Sequence, residues 1–81
     1  MTVVPLSFIT PGSQASVTEI RAGVGLVRRL ASMGLHPDSK VTVVCADRGS
    51  LIVSVAGSRY ALSRGIAMKI FVDPEMPGGD R

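Results

Sequence analysis

The sequence predicts a mainly β domain, a small barrel of about five short strands with one inserted α-helix at about residues 24–33. Three observations lead to this prediction. Short aliphatic segments recur along the chain, separated by turn signals rich in glycine, proline, aspartate and serine. Only one segment has apolar residues at helical spacing. Strands this short would expose an apolar face in an open sheet, and closure into a barrel would hide that face and remove most unpaired edges.

The N-terminal part of the chain predicts two strands. The segment VVPLSFI is a short first strand or extended arm, and Pro5 confines it to an edge, because proline cannot donate to a central ladder. The next four residues, TPGS, are typical of a turn. In the segment QASVTEIRA, the apolar residues Val17 and Ile20 lie three positions apart. This spacing breaks strict alternation and predicts a bulge or bend in the second strand.

The predicted helix has one apolar stripe and a clear end. The stripe falls at positions i, i+4 and i+7 and consists of Leu26, Leu30 and Met33. Gly34 stands where a left-handed residue ends a helix, Leu35 can fold back onto the last turn, and Pro37 prevents the helix from resuming. We therefore expect the helix to cover a gap in the barrel and to stop so that the chain can re-enter the sheet at Lys40.

The second half of the chain predicts the remaining strands. The segment KVTVVCAD alternates and places Val41, Val43 and Cys45 on one face. The turn DRGS leads into LIVSVA, and Gly57-Ser58 is a two-residue hairpin signal before RYALS. The segment RGIAM is typical of a single helical turn, and KIFVD is the last strand. We expect the domain to span residues 1–73 and the proline- and glycine-rich residues 74–81 to be a disordered tail.

Composition and charge limit the classes of function and the cellular location that the chain can have. The chain has 81 residues and a net charge of +3, and residues 1–72 hold eight lysines and arginines against three carboxylates, a net charge of +5. A basic domain of this size can bind an acidic protein, a nucleic acid or an anionic membrane surface, or can simply be soluble. We expect no signal peptide and no apolar run of the roughly 20 residues that cross a bilayer. The single cysteine cannot form an internal disulfide, and these features together favour a cytoplasmic location.

The sequence offers no catalytic or metal-binding constellation. His36 is the only histidine and lies in the loop after the predicted helix, where we expect a solvated turn residue. Cys45 is expected to be a core residue. No pair of carboxylates and no phosphate-binding glycine loop stands out. We therefore expect no enzymatic activity, no cofactor and no metal site, although a weak contact of a metal ion with His36 and Asp38 stays open.

The segment LVRRLASMGLHPDSKVTVV, followed after a gap by GSRYALSRGIAMKIFV, resembles the FeoA domain family over roughly residues 5–73. The matching positions are Arg29, Leu30, Met33, Gly34, Leu35, Pro37, Val41, Val43, Gly57, Ala61, Leu62, Ala67, Ile70 and Val72. One departure is Asp38, where the family usually has glycine. Aspartate tolerates turn geometry, so we expect the turn to survive.

The resemblance implies both a fold and a role. The implied fold is an SH3-like barrel with an inserted helix. The implied role is that of a small cytosolic accessory protein of ferrous iron uptake, whose partner is the cytosolic GTP-hydrolysing region of a FeoB-type membrane transporter. It implies no small-molecule substrate, and contact with the membrane only through the partner. The expected contact residues are Arg28, Arg29, Arg48, Arg59 and Arg64.

Two other functions stay open at this point. A small basic barrel can bind nucleic acid, but Phe8, Tyr60 and Phe71 are scattered and expected to be buried, so stacking platforms are not expected. The domain could alternatively be related to the SH3-like module of iron-dependent transcriptional regulators. It could be a detached version of that module, which would not read DNA alone because no helix-turn-helix precedes it.

Overall fold

The computed structural model describes residues 3–74, which form six strands and two helices. In chain order the elements are β1 (Val4–Pro5), a 3-10 turn (Leu6–Phe8), β2 (Gln14–Ile20), α1 (Val24–Ser32), β3 (Lys40–Ala46), β4 (Ser50–Val55), β5 (Ser58–Ser63), α2 (Arg64–Ala67) and β6 (Ile70–Pro74). The predicted mainly β domain with a helix near residues 24–33 is confirmed. The sixth strand is the two-residue β1. The predicted domain ended at residue 73, and β6 extends to Pro74. The rest of the predicted tail, residues 75–81, lies outside the described residues.

The six strands form one antiparallel sheet in the order β1-β6-β2-β3-β4-β5. Pro5 lies in the edge strand β1, as its missing amide hydrogen requires. The sheet is not closed by hydrogen bonds, because β1 and β5 stay unpaired with each other within residues 3–74. Instead α2 packs against β4, β5 and the 3-10 turn, and the 3-10 turn packs against β6. These two short elements link the opposite sides of the sheet. Hydrogen bonds between the first and last strands of a closed barrel had been predicted in their place.

Two bulges change which side chains face the core. The pairing of β2 with β6 shifts between Val17 and Glu19, which confirms the bulge predicted from the spacing of apolar residues. A second shift, in the pairing of β3 with β4, falls between Val43 and Cys45. A bulge inserts one residue and reverses the alternation beyond it. Cys45 is therefore exposed, and the prediction that it is a core residue was wrong.

The core is entirely aliphatic within the described residues. Fifteen hydrophobic side chains are buried, and no polar or charged side chain is buried with them. The largest fully buried members are Leu6, Leu30, Leu35, Leu51, Ile70, Val17, Val41, Val43, Val53 and Val72. Alternate residues of the central strands supply most of this set, while Leu30 and Leu35 come from α1 and the loop after it. Burial of aliphatic surface therefore provides the main stabilisation of this small domain.

The β4–β5 hairpin turns one residue earlier than predicted. Val55 pairs with Ser58, so the two-residue loop is Ala56–Gly57 and Ser58 already belongs to β5. Both loop residues have positive φ, 51° for Ala56 and 85° for Gly57. Such angles match the right-handed twist of the flanking strands, as in a type I′ turn. Glycine meets this requirement at the second position, and alanine accepts a less favourable angle at the first.

Candidate interaction surface

α1 ends in a hydrogen-bonded cap that the sequence predicted. The amide of Leu35 donates to the carbonyl of Leu30 at 2.8 Å, and the amide of Gly34 donates to the carbonyl of Ala31 at 2.9 Å. Gly34 has a φ of +95°, the left-handed conformation that glycine adopts without a steric penalty. This pair of bonds is the Schellman motif, which satisfies carbonyls that the helix leaves free. Leu35 then enters the core and is fully buried.

α1 buries one face and exposes the other. Leu30 is buried, and Leu26 and Met33 are half-buried and pack against the core, so the predicted apolar stripe is confirmed. Val24 lies on the opposite side and is 70% exposed. Arg28 and Ala31, at helical spacing from Val24, are exposed as well. The outer face of α1 therefore combines an uncovered aliphatic side chain with a positive charge.

The two arginines of α1 have no acidic partner in the described part of the chain. Arg28 and Arg29 are both exposed, and α1 carries no carboxylate of its own. Within residues 3–74 the structure holds one ion pair, between Arg21 and Glu19. The Arg21 guanidinium also lies 4.3 Å from the centre of the Phe71 ring. Arg21 is thus used inside the fold, whereas the guanidinium groups of Arg28 and Arg29 stay available to a second molecule.

Arg48 and Arg64 meet at the β3–β4 loop. Arg64 Nε donates to the carbonyl of Arg48 at 3.1 Å, and Arg64 Nη2 donates to the carbonyl of Asp47 at 2.8 Å. The Arg48 side chain is exposed and has no partner among the described residues. Of these two arginines, Arg48 has the free guanidinium, and part of the hydrogen-bonding capacity of Arg64 is used within the fold.

The five predicted contact arginines fall into two groups rather than one patch. Arg59 is exposed on the edge strand β5 opposite Ser54, near the β4–β5 turn. Gly34 at the end of α1 approaches Val55 at the same end of β4. Arg59 therefore lies at the end of the sheet where α1 stops, whereas Arg48 and Arg64 lie at the other end of β4. Six residues of extended chain separate these ends by about 17 Å.

The loop after α1 keeps a glycine-like conformation at an aspartate. Asp38 has a φ of +77°, which confirms that the turn survives the departure from the family pattern. Its amide donates to the carbonyl of Val17, and the amide of Val17 donates to the carbonyl of Ser39, both at 2.8 Å. His36 is exposed, and its Nδ1 contacts the carbonyl of Pro37 at 2.9 Å. These bonds fix the loop to β2.

No metal-binding cluster is present in the described part of the chain. Among residues 3–74, no three histidine, cysteine, aspartate or glutamate side chains come together in a way that could hold a metal ion. The helices described in this range are also too short, and not apolar enough, to span a bilayer. The arrangement offers basic and apolar surface for contact with another molecule.

A shallow apolar groove lies beside the edge strand β1, and sequence reasoning missed it. Phe8 is 71% exposed there, so the expectation that it is buried was wrong, whereas Tyr60 and Phe71 are half-buried. The groove measures about 310 Å³ and is lined by Val4, Phe8, Ile9, Thr10, Ser13, Gln14 and Pro74. The 3-10 turn after Pro5 rotates Phe8 outward while Leu6 and Ile9 face the core. Pro5, which interrupts the apolar first segment, was the only feature of the sequence that indicated the outward rotation of Phe8.

Comparison with known proteins agrees with this architecture. The family model of the FeoA domain matches residues 4–74. A candidate Fe(2+) transport protein A from Methanocaldococcus jannaschii is 42% identical over 76 residues, which cover 94% of this chain and 93% of the relative. The crystal structure of an iron uptake regulatory protein, FeoA, is 35% identical with a TM-score of 0.86, and the match covers 91% of this chain and 100% of that one. This likeness confirms the SH3-like fold.

A manganese-dependent transcriptional repressor shares the fold in one part of its chain. It is 24% identical with a TM-score of 0.81, and the match covers 90% of this chain and 42% of the repressor. At this identity the likeness shows the fold alone. The FeoA family model, in contrast, spans nearly all of the described residues, and the archaeal relative matches along almost its whole length. The chain therefore belongs to the FeoA domain family, a family of ferrous iron transport accessory proteins.

Proposed function

We propose that this chain is a non-enzymatic cytosolic accessory protein of ferrous iron uptake, which binds and modulates the cytosolic GTP-hydrolysing region of a FeoB-type transporter. The outer face of α1 carries this proposal. Arg28 and Arg29 project from a helix whose buried stripe is already complete, and they have no acidic partner in residues 3–74. Packing therefore gives no reason for an arginine at position 28, and a negatively charged partner does.

The chemistry of this face suits a protein surface that bears carboxylates. A planar guanidinium can bind a carboxylate through two parallel hydrogen bonds, and the apolar stem of the arginine side chain adds contact area. Val24, exposed beside Arg28, supplies apolar surface of the kind found at the centre of interfaces. Complementary charge at the rim would accelerate association and fix the orientation of the two proteins. The chain would reach the membrane only through this partner, and neither a small-molecule substrate nor a cofactor is required.

Charge reversal on α1 tests the proposal. We expect Arg28→Glu to weaken binding of the purified transporter domain by about 1–3 kcal/mol in calorimetric titration, because charged hydrogen bonds are lost and repulsion is added. Lys69→Glu is the matched control, since it changes net charge equally at an exposed residue outside α1. The free energy of unfolding of both variants should lie within about 0.5 kcal/mol of the parent value. Equal affinities of the folded parent and the Arg28 variant would exclude Arg28 as a contact residue, and the same result for Arg29→Glu would exclude α1 as the contact face.

The Arg29→Glu variant separates contact from packing. Arg29 neighbours the buried Leu30, and its aliphatic stem can cover the edge of the core. If Arg29 contacts the partner, the variant loses affinity and keeps its stability. If its role is packing, the midpoint of unfolding falls and the affinity of the protein that remains folded is unchanged. A parallel titration with single-stranded oligonucleotide at two salt concentrations tests the nucleic-acid alternative, which requires steeply salt-dependent binding.

A further inference from the structure

One residue, Arg64, binds three consecutive carbonyls of the β3–β4 loop. Its guanidinium donates to Asp47 O at 2.8 Å and to Arg48 O at 3.1 Å. Its backbone amide donates to Gly49 O at 3.0 Å. Arg64 is the first residue of α2, and α2 is anchored by the fully buried Ala67. The loop is therefore held from outside by a residue 15 to 17 positions further along the chain.

The loop has few bonds of its own. The amide of Asp47 donates to the carbonyl of Ser50 at 2.8 Å, and the Asp47 carboxylate accepts a bond from the amide of Arg48 at 2.9 Å. All residues from Asp47 to Gly49 are exposed, so no side chain of the loop is anchored in the core. Without the Arg64 guanidinium, the carbonyls of Asp47 and Arg48 would turn to water and this segment would sample several conformations, while the bond from the Arg64 amide to Gly49 O would remain.

We propose that Arg64 is a positioning residue: it fixes the β3–β4 loop so that the free guanidinium of Arg48 meets a carboxylate of the partner protein. The inference rests on the proposed function, since it takes the partner to be the same acidic protein surface. It assigns different roles to two of the expected contact residues. Arg48 makes the contact, whereas Arg64 acts through the loop. It also places a second contact point at the end of β4 opposite α1.

The geometry requires arginine at position 64. Nε and Nη2 are held in one plane by the guanidinium, so they can donate to two neighbouring carbonyls at once. A lysine ammonium is a single point with rotatable donors and cannot reproduce that fork. A loop that is already ordered loses less conformational freedom on binding, which favours affinity. We therefore expect Arg64→Lys, although it keeps the charge, to release the loop and weaken binding through Arg48.

Amide exchange in the free full-length chain tests the positioning. We expect Arg64→Lys to speed hydrogen exchange at the amides of Asp47 and Arg48 at least about fivefold, and to leave the amides of β2 unchanged. Arg59→Lys is the matched control, because Arg59 makes no contact with this loop. Unchanged exchange at Asp47 and Arg48 in the Arg64 variant would overturn the positioning role.

A double-mutant cycle tests how Arg64 acts on binding. Calorimetric titration with the transporter domain should show about tenfold weaker binding for Arg48→Ala and about fivefold weaker binding for Arg64→Lys. In the Arg64→Lys background, Arg48→Ala should change affinity less than about twofold, because Arg48 is no longer held in place. Fully additive losses would mean that Arg64 contacts the partner directly, and would overturn the inference.

The same titrations separate this inference from the proposed function. If the parent binds and Arg48→Ala binds equally well, the role of Arg48 is wrong while the proposed function stands. If the parent does not bind the transporter domain at all, the proposed function and the contact role of Arg48 fail together. Melting curves of each variant confirm that the measured affinities belong to folded protein.

Discussion

Gly34 and Val55 are in such close contact that a β-carbon added at Gly34 would stand 3.0 Å from Val55 Cγ1. This approach joins the end of α1 to the end of β4. It also fixes the orientation of a helix that otherwise has only Leu30 fully buried. Because Arg28 and Arg29 lie on this helix, the contact also affects where their guanidinium groups lie on the surface.

Alanine at Gly34 should therefore destabilise the domain. We expect Gly34→Ala to lower the free energy of unfolding by about 1–3 kcal/mol, because alanine is strained at a φ of +95° and its methyl group would press on Val55. Urea denaturation measures the change. Gly25→Ala is the control on the same helix, where φ is not positive and, apart from the neighbouring residues and the backbone of the helix itself, no atom lies within 4 Å of the added carbon. It should be neutral or stabilise the domain by up to about 1 kcal/mol. Equal effects of the two substitutions would contradict the close approach.

Leu30 is the main anchor of α1, and its truncation should be costly. We expect Leu30→Ala to lower the free energy of unfolding by about 2–5 kcal/mol, since the side chain is only 2% exposed and its loss leaves a cavity. Val24→Ala removes aliphatic atoms from the exposed side of the same helix and should change stability by less than about 0.5 kcal/mol. The same denaturation experiment compares the two. A small effect at Leu30, or a large one at Val24, would mean that the buried face of α1 is assigned incorrectly.

Local signals in the sequence predicted the parts of the fold that depend on single residues. Gly34 located the end of α1, because few other residues adopt a left-handed backbone conformation, and Pro37 indicated that the helix does not resume. The three-residue spacing of Val17 and Ile20 located the bulge in β2. The incomplete closure of the sheet could not be predicted in this way. It depends on how the 3-10 turn and α2 fill the space between β1 and β5, which is a matter of tertiary packing.

The candidate contact residues were only partly predictable. Basic residues on a helix with a complete apolar stripe pointed to a surface, and the structure leaves Arg28 and Arg29 exposed. Nothing in the sequence indicated that Arg64 binds the loop of Arg48, because the two residues are 16 positions apart. The burial of Cys45 was misjudged because alternation was continued through β3, where the bulge after Val43 reverses it.

Exposure of Cys45 predicts an accessible and replaceable thiol. We expect Cys45→Ser to change the free energy of unfolding by less than about 0.5 kcal/mol, because an exposed hydroxyl loses no hydration on folding. Val43→Thr, two residues earlier and fully buried, should cost about 1–3 kcal/mol for burying a hydroxyl. A thiol reagent should also modify the folded protein completely in native buffer. Protection that is lost only in denaturant would show that Cys45 is buried.

Metal removal should leave the folded domain intact. Because no three potential ligand side chains meet within residues 3–74, we expect no structural metal site there, and the aliphatic core should hold the fold without iron. Thermal melting followed by circular dichroism, with and without a strong chelator, should give midpoints that agree within experimental error. A midpoint that collapses with chelator, and recovers when Fe²⁺ is restored, would reveal a structural site.

The β4–β5 turn offers a way to stabilise the domain. Ala56 occupies the first position of the two-residue loop with a φ of 51°, a region that is unfavourable for alanine. Asparagine tolerates this region, and Asn-Gly is a preferred pair for type I′ hairpins. We expect Ala56→Asn to raise the free energy of unfolding by about 0.5–1 kcal/mol in urea denaturation. Ala61→Asn is the control within β5, where positive φ is absent and asparagine is a poor strand residue, so stability should fall slightly. A loss of stability at position 56 as well would mean that the turn does not have the left-handed conformation assigned to it.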